Sequence, residues 1–173
     1  MKRVVILMAV LALAAACDDD SPTQPSNTGP IVFVAQLSAA NEVPPVTNAE
    51  STARGTTTIT FNVPRDSSGA ITGGGTAVFG IQLNSFPTSS TAVVAAHIHP
   101  GATGVNGSPL VLLPVSAGAP IVLTNGAASI SITVDNLSQA DATAIAANPA
   151  NYYFNVHTPL NGGGAARGQL VRQ

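Results

Sequence analysis

An all-β sandwich or barrel with one short connecting helix is the fold class this 173-residue sequence predicts. Three observations carry it. Short runs of β-branched, aromatic and other apolar residues alternate with polar ones and recur between glycine-, proline- and asparagine-bearing turns. Only 8% of the residues are charged, and a helical pattern of any length appears in one place.

The chain begins with Met1-Lys2-Arg3, an uncharged run from Val4 to Ala16, and then Cys17. A basic start, an apolar stretch too short to span a bilayer and small residues before a cut predict a secretory signal over residues 1–16. Cys17 is the single cysteine, so it has no internal disulfide partner. Its place after Leu13-Ala14-Ala15-Ala16 resembles a bacterial lipobox, although Ala14 stands where leucine is usual. That resemblance implies lipid on Cys17 and attachment to the bacterial cell envelope, periplasmic or surface-exposed. The alternative is ordinary secretion with an isolated cysteine. Residues 17–30 (Cys-Asp-Asp-Asp-Ser-Pro-Thr-Gln-Pro-Ser-Asn-Thr-Gly-Pro) then read as a polar, lipid-anchored tether that cannot fold alone.

Removing residues 1–16 leaves four arginines against eight acids, a formal charge of −4. With no basic patch, nucleic acid is not an expected partner. Membrane attachment has to come from lipid rather than from polybasic attraction. Residues 31–173 are long enough for one domain with a real core.

Ile31-Val32-Phe33-Val34-Ala35-Gln36-Leu37 predicts the first strand, stopped by Pro44 and Pro45. Gly55 to Val63 alternates, with Ile59, Phe61 and Val63 pointing one way. Asp66-Ser67-Ser68-Gly69 is a turn, and a strand from Ala70 towards Leu83 follows, interrupted by Gly73-Gly74-Gly75. Further strands are expected over Ala92–His99, Leu110–Val115, Ile121–Thr124, Ser129–Val134, Tyr152–His157 and Ala165–Val171. Alanine-rich Leu137 to Asn148, with Ser138 as N-cap, Asp141 three residues on and Pro149 as stop, is the connecting helix.

Two of those strands carry chemistry. Side chains two apart share a face of a strand, so His97 and His99 lie opposite Val94, Ala96 and Ile98. Likewise Tyr153, Asn155 and His157 lie opposite Tyr152, Phe154 and Val156. If the strands are neighbours, all three histidines of the chain converge on the outside of the sheet. Imidazole suits copper and zinc. The competing reading is a structural cluster bonded to backbone or to Glu42. Glu42 itself reads either as a carboxylate orienting a histidine or as a solvated loop acid. Arg167 reads either as an anion guide or as a structural partner of Glu42 and loop carbonyls. The glycines of Gly101-Ala102-Thr103-Gly104 and Gly162-Gly163-Gly164 are spaced too loosely for a phosphate cradle and read as loop flexibility.

Asn41-Glu42-Val43-Pro44-Pro45, Ala96-His97-Ile98-His99 with Gly101 and Gly104-Val105-Asn106-Gly107, Asn155-Val156-His157-Thr158 and Arg167-Gly168-Gln169-Leu170 occur in that order. Together they resemble the CHRD domain, which repeats in the developmental antagonist chordin and occurs in many bacterial secreted proteins. The resemblance spans Ile31 to Val171. It departs at Ala165-Ala166, where an acid and an aliphatic residue are commoner, and at Pro100. It implies an immunoglobulin-like fold distantly similar to the copper-zinc superoxide dismutases. Against the dismutase pattern, His97, His99, His157 and Arg167 match in order. Three histidines and one cysteine leave no fourth copper ligand, no zinc-ligand cluster and no disulfide, so a complete dismutase site is excluded.

Three functions follow as expectations. The first is a non-catalytic, envelope-anchored module that binds a ligand or an extracellular or periplasmic protein partner, on analogy with chordin. The second is a copper or zinc protein using His97, His99 and His157. The third, furthest from the residues present, is a reduced dismutase-like redox enzyme. No serine or cysteine stands in a hydrolase motif.

Overall fold

The computed structural model describes residues 29–173; the expected signal segment, Cys17 and the expected tether up to residue 28 lie outside them. Ten strands and one helix appear in chain order: β1 (Ile31–Ser38), β2 (Arg54–Asn62), β3 (Gly75–Asn84), β4 (Ala92–Val93), β5 (Ala95–Pro100), β6 (Val111–Leu112), β7 (Ile121–Val122), β8 (Ala128–Leu137), α1 (Gln139–Ala147), β9 (Tyr152–His157) and β10 (Ala166–Arg172). Eight of the strands form one nearly closed sheet in the order β6-β5-β9-β10-β1-β2-β3-β8, and β4 pairs with β7 separately. Each neighbouring pair is antiparallel.

Alternation places the core. Ile31, Phe33, Ala35 and Leu37 of β1, Ile59 and Phe61 of β2, and Phe79, Ile81 and Leu83 of β3 are all buried on the concave side. Ala96 and Ile98 of β5 and Phe154 and Val156 of β9 join them. Phe33 meets Phe61 edge-on at 5.1 Å and Phe79 lies 5.7 Å from Phe154, so rings from both halves of the sheet fill the interior.

Several elements differ from the expectation, each for a local reason. Residues 70–74 are not strand: Arg65 bridges Ile71 to close a hairpin tip, and β3 starts only at Gly75. The Ala92–His99 run divides at Val94. Val93, not Val94, is fully buried, because Val94 gives its N–H to the His157 carbonyl while Val93 pairs with Ile121 in the small sheet. The strands expected over 110–115 and 121–124 shrink to two residues each, whereas β8 extends to Leu137. The helix is where the alanine run put it. Ser138 accepts the Asp141 N–H at 3.0 Å and donates its hydroxyl to the Asp141 carboxylate at 2.6 Å, a closed N-cap. Ser138→Ala therefore lowers stability by about 1 kcal/mol, read as a shift of the urea midpoint at constant m-value.

Candidate metal centre

β5 and β9 are hydrogen-bonded neighbours, with Ala95 opposite His157, His97 opposite Asn155 and His99 opposite Tyr153. This register puts His97, His99, Tyr153, Asn155 and His157 on one face. On the next strand Arg167 lies opposite Asn155, and on β1 Ser38 lies opposite Arg167. A polar stripe thus crosses four strands on the convex side of the sheet.

The stripe is roofed rather than open. His99 is 5% exposed, Asn155 2% and Arg167 2%, while His97 stays half-buried. Arg167 rivets two loops over it. Its Nε donates to the Asn41 carbonyl at 2.7 Å, its Nη1 donates to Asn106 Oδ1 at 2.9 Å, and Asn106 in turn donates to the Val43 carbonyl at 2.8 Å. The guanidinium also lies 4.3 Å over the Tyr153 ring. Glu50 closes the other side. It is 1% exposed and accepts the hydroxyls of Ser90 and Thr158 and the Asn161 amide, which fixes the loop after His157. Nothing in the sequence around Ala49-Glu50-Ser51 distinguishes it from a surface acid.

The three rings meet edge to face: 5.4 Å from His97 to His99, 5.0 Å from His97 to His157 and 6.2 Å from His99 to His157. One nitrogen from each lies within 4.8 Å of the others. Backbone carbonyls select the tautomers. His99 Nδ1 donates to Gly107 at 2.9 Å, which leaves that ring an Nε2 lone pair, and His157 Nδ1 donates to Gly162 at 3.0 Å while its Nε2 faces Asn155 Oδ1 at 3.1 Å. This is how metal-ligating histidines are oriented. His99 Nε2 is buried with no hydrogen-bond partner, and such an orphan is costly unless something binds it. His97 Nδ1 lies 3.2 Å from His157 Nε2. Two nitrogens on a tetrahedral zinc, each about 2.0–2.1 Å from the ion, stand roughly 3.3 Å apart. The donor set is compatible with copper or zinc once its widest pair, within 4.8 Å, closes to that spacing.

Burial keeps the three rings neutral. Burial, reinforced by the His157 and His99 rings, holds His97 down at about 4. Burial also lowers His99 and His157, against the bonds to Gly107 and Gly162 that favour their charged forms. Neutral imidazoles can take an ion at neutral pH without competition from a second ring proton.

Glu42 is not the solvated loop acid that its sequence setting suggests. It is 5% exposed, and burial pushes its carboxyl up to about 7, while the Arg167 charge and the Asn155 amide pull the other way. The reason it is buried is Gly164, at φ +138°: a Cβ there would stand 2.6 Å from the Glu42 carboxyl. This glycine serves close approach rather than loop flexibility. Gly107 is similar, since its Cβ would meet the Pro100 carbonyl at 1.8 Å, and that tight turn aims its own carbonyl at His99. Asn155, read from sequence only as a face-mate of His157, sits beside the rings: its Oδ1 lies 3.1 Å from His157 Nε2.

No curated protein and no solved structure matches this chain. A model of the CHRD domain family matches residues 33–170, which takes in all of the sheet but the outer ends of β1 and β10, the helix and every residue of the stripe. The chain belongs to the CHRD domain family.

Proposed function

We propose that this CHRD domain is a metal-binding module, held at the bacterial cell envelope by lipid on Cys17, which takes one copper or zinc ion at His97, His99 and His157. The observation that carries the reading is the convergence of the three rings around His99 Nε2, a buried nitrogen whose ring is fixed by the Nδ1–H bond to Gly107. A structural cluster would be expected to use both nitrogens, yet His99 Nε2 is left unpaired. Bound there, the ion would supply a Lewis-acid or redox centre with a position free for a further ligand. The protein's own part is to hold the rings still. Gly107 and Gly162 fix two of them, Tyr153 stacks flat on His99 at 4.8 Å, and Arg167 and Glu50 pin the loops that exclude water. His97, the half-buried ligand, marks the side from which an ion enters.

The test is titration of the mature chain carrying Cys17→Ser with zinc and with copper. One ion per chain and a raised thermal midpoint are expected. Absence of stoichiometric binding at micromolar ion overturns the assignment. The anchor is tested separately by palmitate labelling in a bacterial host, expected for the natural chain and absent from Cys17→Ser.

A further inference from the structure

The histidine trio does not account for every polar atom that the stripe buries. Arg167 is almost fully buried, and its hydrogen bonds all go to neutral acceptors: the Asn41 and Val105 carbonyls and Asn106 Oδ1. Its Nη2 is buried with no hydrogen-bond partner among the described residues. Glu42 Oε1 is buried and unpartnered in the same way. A charged donor kept out of water without an acceptor is costly, so this arrangement calls for an acceptor from outside the chain.

Arg167 and Glu42 both line one groove of about 480 Å³, a volume in the range of small-ligand sites. None of the three histidines lines it, so it opens apart from the metal centre. The groove runs over the outer face of β1 and β10, beneath the loops at 40–45 and 103–104. Register sets its two ends. Ser38 lies opposite Arg167 and Val34 opposite Val171, so Arg167 and Val171 stand on one outward face, about 13 Å apart along the strand. The Arg167 end is roofed by the loops that its guanidinium pins, whereas Val171 is 59% exposed at the open end. Gln169 stands between them, its amide fixed by the Gly101, Ala150 and Tyr152 carbonyls. Val43 and Pro45 supply apolar lining from the loop side.

We infer that this groove binds a small organic carboxylate, whose anionic head accepts from Arg167 Nη2 at the buried end and whose apolar body lies along Val43, Pro45 and Val171. The head is an anion because the guanidinium charge meets only neutral acceptors within the chain. It is a carboxylate rather than a phosphate because one guanidinium nitrogen is free, and a second ligand charge would find no cation to meet it. Glu42 does not oppose the head below neutral pH, since burial raises its carboxyl to about 7 and keeps it protonated there. The body is apolar because the groove leads from the buried charge out to an exposed valine.

The probe is benzoate, titrated at about pH 6 into the metal-free mature chain carrying Cys17→Ser and followed by amide chemical shifts. Saturable binding at or below about 1 mM is expected, with shifts at Thr103, Gly104 and Gly168. Benzyl alcohol, the same body without the charge, and acetate, the head without the body, each bind at least about tenfold more weakly. Arg167→Met removes the free donor but also unpins two loops, so Val171→Glu is the deciding variant. It sets an acid at the exposed end of the groove and weakens benzoate at least about tenfold, while circular dichroism stays that of the natural chain. No saturable benzoate binding, shifts that miss the groove, or equal binding of benzyl alcohol overturns the inference. Acetate binding as tightly as benzoate also overturns it, by reducing the site to a bare anion contact. Working without metal keeps this result independent of the histidine site.

Discussion

His99→Ala lowers zinc or copper affinity by at least about a thousandfold, roughly 4 kcal/mol. The substitution removes one of three protein ligands, and the remaining pair, His97 and His157, has no other described histidine or acid within ligand distance to replace it. It also frees the Gly107 carbonyl and unstacks Tyr153, so the domain loses about 1–2 kcal/mol of its own stability. His97→Ala separates the two effects. His97 makes no bond to a backbone carbonyl and is half-buried, so its loss spares stability while affinity falls by a similar factor. Competition against a chelator reads the affinity and urea unfolding reads the stability. If His97→Ala kept the affinity of the natural chain, the trio would be a structural cluster and not a site.

The convergence of the histidines was legible because strand alternation is a strict rule: two residues apart means one face, and His97, His99 and His157 obey it. What alternation cannot give is the roof. That the face is covered follows from Arg167, whose guanidinium bonds Asn41 and Asn106 at sequence distances of 126 and 61 residues. Arg167 is legible as a structural partner of loop carbonyls, but which two loops it joins is not. Glu42 and Glu50 look alike in sequence, each a lone acid among loop residues. Their burial is decided by partners far along the chain, Gly164 for one and Thr158 with Asn161 for the other. The break at Val94 was hidden for a related reason. Ala92 to His99 reads as one alternating run, and only the competing pairing of Val93 with Ile121 divides it between two sheets. The closed N-cap at Ser138 needed no distant partner and was read correctly from four residues.

Glu42→Gln stabilises the domain by about 2–3 kcal/mol at pH 8 and leaves it unchanged near pH 4. A carboxyl raised from 4.5 to about 7 holds its proton more firmly in the folded chain than in the unfolded one. Unfolding therefore releases a proton between those values, and stability falls as pH rises through that window. Glutamine is a neutral isostere and feels no such loss. The histidines act in the opposite sense. His97, lowered from 6.5 to about 4, binds its proton more weakly when folded, so its contribution is present above 6.5 and is lost as pH falls towards 4. The two slopes oppose each other between about 4.5 and 6.5, which flattens the natural chain's profile, and Glu42→Gln uncovers the histidine slope alone. Urea midpoints from pH 4 to pH 8 on both chains read this directly. A difference that does not grow with pH would show that the Glu42 carboxyl is not raised in the folded chain. Zinc supplies the cross-check: a divalent charge held by the histidines favours the Glu42 carboxylate. Loading the site should therefore shrink or reverse the advantage of Glu42→Gln at pH 8, which ties the buried acid to the histidine trio as one electrostatic unit.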